Sequence, residues 1–94
     1  MNTLKEYLTV ERIGHESGVN FTMEVYKTED GFYRCYAYAM VNGCKVTDWQ
    51  YYALDQEEAY SEQTKDYLIR EIRPMLRQAL ININRIANQY LANY

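Results

Sequence analysis

The chain has 94 residues, of which 48% are hydrophobic, with two cysteines, one histidine and a net charge of −3. Such a length suits one domain that buries only about two-thirds of its unfolded surface. With a pI near 5.1 the molecule as a whole does not attract nucleic acid or anionic membrane. No apolar run approaches membrane-spanning length, and Met1-Asn2-Thr3-Leu4-Lys5-Glu6 lacks the basic and apolar regions of a secretion signal. A cytoplasmic location and no membrane contact are therefore expected.

Thr3-Leu4-Lys5-Glu6 has capping-box spacing, Leu4, Tyr7 and Leu8 recur at helical spacing, and Gly14 stands where a helix would stop. These signals predict a short N-terminal helix. The competing reading is a strand through Tyr7 to Ile13, turned back by His15-Glu16-Ser17-Gly18. From Val19 the period is two. Val19, Phe21, Met23 and Val25 alternate with polar residues, the mark of a half-buried strand. Glu29-Asp30-Gly31 turns the chain into a second strand, Phe32 to Val41, and Asn42-Gly43 then forms a type I′ hairpin leading into a third, Cys44 to Tyr52.

Asp55-Gln56-Glu57-Glu58 opens a helix, with Asp55 as N-cap, Glu58 completing a capping box, and acidic side chains at the positive end of the dipole. Helical periodicity continues to about Leu91, and Pro74 is expected to kink or break it. Ile72, Met75, Leu76, Ala79, Ile83, Ile86, Ala87 and Tyr90 share one side, whereas Arg70, Arg73, Arg77 and Arg85 lie on the other. The expected fold is α+β, a three-stranded antiparallel meander (four if residues 7–13 are a strand) on a long C-terminal helix. Residues 55–92 in helix span about 57 Å, against about 33 Å for a ten-residue strand. Roughly 20 Å of apolar stripe would therefore overhang the sheet, which predicts a homodimer.

The Asn42-Gly43 hairpin pairs Val41 with Cys44 and, counted without interruption, Tyr38 with Thr47, Tyr36 with Trp49, and Arg34 with Tyr51. One face then carries Tyr36, Tyr38, Met40, Trp49 and Tyr51. The other carries Cys35, Ala37, Ala39 and Val41. A four-residue loop from Thr28 to Gly31 makes the aromatic face core, the preferred arrangement because large side chains fill a sheet-helix layer. A three-residue loop from Glu29 to Gly31 turns the aromatics outward.

Eleven tyrosines in one small chain invite a binding role. Arg34, Tyr36, Tyr38, Trp49 and Tyr51 on one face would make a stacking platform for bases, but core filling explains aromatics more often. The arginine row reads as a solvated helix face before a phosphate grip. His15 beside Glu16 lacks a nucleophile or orienting partner. Cys35 and Cys44 are about 20 Å apart along the strands, too far to bridge. One histidine and no paired-cysteine spacing give no metal site, and no cofactor motif is present.

A helix, three strands and a helix over about residues 3–72 resemble the element order of double-stranded-RNA-binding domains. That family carries lysines at the start of its second helix, where this chain has Asp55-Gln56-Glu57-Glu58. The resemblance thus implies topology without RNA binding. The function expected is a non-enzymatic adaptor or inhibitor acting by protein-protein association. Met75, Ala79, Ile83, Ile86 and Tyr90 would form the dimer contact, with Asp55, Glu58 and Glu62 offered to a partner protein. The alternative is a nucleic-acid-binding module using Arg34, Tyr36, Tyr38, Trp49 and Tyr51.

Overall fold

The structure, a computed structural model, describes residues 4–92, with the side chains of residues 4, 5, 86, 87, 89, 90 and 91 left aside. Four strands, β1 (Leu4–Glu16), β2 (Val19–Thr28), β3 (Tyr33–Val41) and β4 (Cys44–Ala53), form one antiparallel sheet in sequential order. A short helix α1 (Gln56–Ala59) and the 31-residue α2 (Glu62–Ala92) follow. The fold is α+β, a sheet packed on a C-terminal helix.

The N-terminal helix expected for residues 4–13 is a strand instead. Its pairing with β2 slips at Lys5, Leu8 and Ile13, each an extra residue opposite the ladder. Those bulges erase the alternation and leave Leu4 and Leu8 at helical spacing. Leu8 and Ile13 pack against the core. With a strand in first place, the element order no longer matches that of double-stranded-RNA-binding domains.

The second correction concerns the sheet faces. Phe21 pairs with Ala39, Met23 with Ala37 and Val25 with Cys35. The small residues of β3 therefore face the helix, and Tyr36 and Tyr38 point outward. Thr28 decides this register. Buried at the strand end, its amide donates to the Phe32 carbonyl at 2.9 Å and its hydroxyl accepts from the Phe32 amide at 3.1 Å. It also bonds the Asp30 carboxylate. Only Glu29, Asp30 and Gly31 remain in the loop, with Gly31 at φ 91°, a conformation that disfavours a side chain. A layer built on Cys35, Ala37 and Ala39 brings the helix close to the sheet, and Phe21, Met23, Leu68 and Ile72 fill it.

The third correction lies in β4. The turn at Asn42-Gly43 has φ 51° and 79°, as type I′ requires. Val41 pairs with Cys44 and Met40 with Lys45, but Ala39 then pairs with Thr47. Val46 is the extra residue of a bulge and packs toward the core. Beyond it the parity of β4 is reversed: Tyr38 faces Asp48, Tyr36 faces Gln50, and Arg34 faces Tyr52. Trp49 and Tyr51 move to the helix side.

Asp55 caps α1 by accepting the Glu58 amide at 2.8 Å, and Glu58 returns a bond to the Leu54 amide at 2.9 Å. The helical segment breaks at Tyr60 and Ser61, where Ser61 Oγ accepts the Thr64 amide and starts α2. α2 then runs through Pro74 as one helix, so of the kink or break expected there the break is absent. Pro74 removes the donor for the Arg70 carbonyl. Both residues are exposed, so water can satisfy it.

Candidate functional site

Two surfaces stand out. The first is the outer face of the sheet, one contiguous surface formed by residues from all four strands. The registers bring together Tyr7, Val10 and Arg12 of β1; Thr22, Glu24 and Tyr26 of β2; Arg34, Tyr36, Tyr38 and Met40 of β3; and Lys45, Asp48, Gln50 and Tyr52 of β4.

Its centre is an interlocked polar and aromatic layer. Glu24 accepts hydrogen bonds from Tyr26 and, at 2.7 Å, from Tyr38. Tyr36 donates to Asp48 at 2.9 Å and accepts from Lys45 at 2.8 Å. Arg34 Nε donates to Gln50 at 2.7 Å, and its guanidinium lies 5.1 Å from the Tyr36 ring centroid. Lys45 Nζ lies 4.8 Å and 4.6 Å from the Tyr36 and Tyr38 centroids, within cation-π range. Tyr36 and Tyr38 approach at 5.4 Å, and Tyr7 meets Tyr26 edge-on at 5.1 Å.

These contacts set the local acidities. Partial burial works against ionisation of Glu24, but the two tyrosine hydroxyls and the Lys45 and Arg34 charges outweigh it and hold the carboxyl below its ordinary value. The hydrogen bond to Glu24 pushes the Tyr26 phenol up to about 12, and burial with the same carboxylate does so for Tyr38. Lys45 is raised, first by its bond to Tyr36. The face therefore keeps Glu24 and Lys45 charged and Tyr26 and Tyr38 neutral across the physiological range.

Of the residues expected to stack as one platform, the structure brings Arg34, Tyr36 and Tyr38 together on this face. It places Trp49 and Tyr51 on the other side, where Trp49 Nε1 donates to the Tyr67 hydroxyl at 3.2 Å and Tyr51 to Glu58 at 3.1 Å. Sequence reasoning missed Tyr7, Tyr26 and Tyr52 as members. Tyr26 was visible as the polar-phase residue of β2, whereas Tyr7 and Tyr52 were concealed by the bulges.

The second surface is the distal half of α2. Leu68, Ile72 and Leu76 lie against the sheet, Leu76 being 7% exposed, whereas Leu80 is 37% and Ile83 54% exposed. At about 100° per residue Leu80 and Ile83 fall within about 40° of Leu76, so one stripe is covered at its start and bare further on. Met75 packs at the core margin and Ala79 is half-buried. The side chains of Ile86 and Tyr90 lie outside the described residues. Asp55 and Glu58 are engaged in capping. Glu62 is exposed beside Lys65 at 3.6 Å.

In the arginine row Arg73 forms a two-pronged pair with Glu16 at 3.0 and 3.2 Å, tying α2 to β1. Arg85 donates to Asn82 at 2.7 Å. Cys35 is buried, donates to the Ala59 carbonyl, and has its thiol pushed by burial up to about 12; Cys44 is exposed beside the hairpin turn. His15 stands exposed near the end of β1, opposite Asn20. Among the described residues no group of three or more His, Cys, Asp or Glu could hold a metal ion, and no helix is long and apolar enough to cross a membrane.

No protein-family model matches the chain, and neither a curated protein nor a solved structure is significantly similar to it.

Proposed function

We propose that the chain is a non-enzymatic interaction module that pairs with a second copy of itself through the distal half of α2. The observation that supports this reading is the stripe of α2, covered by the sheet at Ile72 and Leu76 and bare at Leu80 and Ile83. A helix has no reason to keep one apolar side in register past its own sheet unless something covers it. A second copy is the simplest cover, because a two-fold axis near Ile83 lays two identical stripes against each other. Arg77 and Arg85, about 100° and 180° from Leu76 around the helix, stay clear of the contact. In such a pair the capping residues Asp55 and Glu58 remain at the far ends, and both sheets keep their outer faces free for a partner.

Sedimentation at micromolar concentration tests the reading. The expected result is a dimer that becomes monomeric when Leu80→Asp and Ile83→Asp are combined. Ile81→Asp, about 140° from Leu76, leaves it a dimer. A wild-type monomer, or equal sensitivity to Ile81→Asp, overturns it.

A further inference from the structure

We propose that the outer face of the sheet binds single-stranded nucleic acid, with bases stacking on tyrosine rings and phosphates meeting Arg34 and Lys45. The proposal stands apart from self-association, since it needs only one sheet. Five tyrosines, Tyr7, Tyr26, Tyr36, Tyr38 and Tyr52, lie on this face, one or more on every strand. Neither the core nor the helix accounts for them, because the helix covers the opposite side. An aromatic row across a sheet offers π-faces to any base. A duplex keeps its bases stacked internally and cannot use such a row.

The charge of the face fits the same ligand. Arg12, Arg34 and Lys45 outnumber Glu24 and Asp48, so the face is positive in a chain of net charge −3. Both carboxylates accept from tyrosine hydroxyls, Glu24 from Tyr26 and Tyr38, Asp48 from Tyr36. They orient the rings and remain charged, and the cations of the face outnumber them. The cations lie over the same rings, Arg34 near Tyr36 and Lys45 near Tyr36 and Tyr38. Ring and cation are thus within reach of adjacent base and phosphate groups of one strand. The acidic residues at the start of α1 and α2 lie beyond this face and steer the polyanion to it rather than to the helix.

Fluorescence anisotropy with a labelled thymidine oligonucleotide, a mixed-sequence single strand and a matching duplex provides the test. Expected are binding of both single strands, a large preference over the duplex, and affinity that falls with salt by about 0.7 log units per log unit of salt for each phosphate neutralised. Tyr36→Ala and Tyr38→Ala should each weaken binding about fivefold or more, whereas Tyr36→Phe, which keeps the ring, retains most of it. Arg34→Ala should reduce the salt slope by about 0.7. Circular dichroism of each variant reports the fold, and Tyr36→Phe and Arg34→Ala keep the test decisive if an alanine variant unfolds. Absence of binding at low salt, equal binding of duplex, or loss confined to Arg70→Ala or Arg77→Ala on α2 overturns the proposal. Capture of a protein or a sugar by this face in the absence of nucleic-acid binding does so too.

Discussion

The two faces of one sheet use opposite means to reach order. The inner face sets small residues on β3 against Phe21, Met23 and Val25 on β2, and all of them are buried in the core shared with the helices. The outer face sets Tyr38 and Tyr36 on β3 against Thr22 and Glu24, and holds them by hydrogen bonds and cation-π contacts. Small side chains mark the side where another layer must come close. Large amphipathic ones mark a side that meets water or a ligand.

The sharpest way to break this contrast is to truncate one residue on each side. Met23→Ala, deep in the inner layer, should cost about 2–5 kcal/mol. Thr22→Ala, its outward neighbour, should stay within about 0.5 kcal/mol. Urea unfolding measures both, and equal losses would dissolve the distinction. Enlargement gives a smaller effect of the same kind. Ala37→Leu should destabilise by about 1–3 kcal/mol because the helix leaves no room, while Asp48→Leu on the outer side should lower solubility more than stability. A melting curve beside a light-scattering trace separates the two outcomes.

The smallest effect is in pH. The Glu24 carboxyl is lowered from 4.5, so its contribution is complete above the unfolded carboxylate range and is lost as pH falls through the lower folded value. Tyr26 and Tyr38 are raised from 10.0 to about 12, so theirs is present below the unfolded phenol range and is lost as pH rises through about 12. Glu24→Gln should flatten both limbs of a stability-against-pH curve while leaving the plateau near neutrality almost level, a change read by denaturant titration at several pH values.

Three of the four strands were legible because strong turn signals mark their ends. β2 alternates cleanly, Asn42-Gly43 demands its turn, and Asp55 with Glu58 announces the helix start. β1 stood only as the competing reading because bulges at Lys5, Leu8 and Ile13 break its alternation, and Gly14 beside the third reads equally as a helix stop. The orientation of the sheet was hidden in Thr28, whose hydroxyl and amide both bond Phe32 and shorten the loop by one residue. Trp49 and Tyr51 were misplaced for the same kind of reason, a one-residue bulge at Val46. The break at Tyr60 and Ser61 left only a weak mark, Ser61 three residues ahead of Thr64, against the stronger helix-breaking signal of Pro74. In each case the placement of a single residue, rather than the average propensity of the segment, decided the outcome.

The Val46 bulge leaves the molecule with a built-in optical reporter. Trp49 is the sole tryptophan, and the parity reversal seats it, 39% exposed, at the seam where β4 meets Tyr67 of α2. Its emission wavelength should follow the docking of α2 on the sheet, while events on the outer face, which carries five tyrosines and meets Trp49 only at the β4 margin, should alter tyrosine emission first. Lifting of the helix and engagement of a ligand would then be readable in one cuvette, at two colours, without any label.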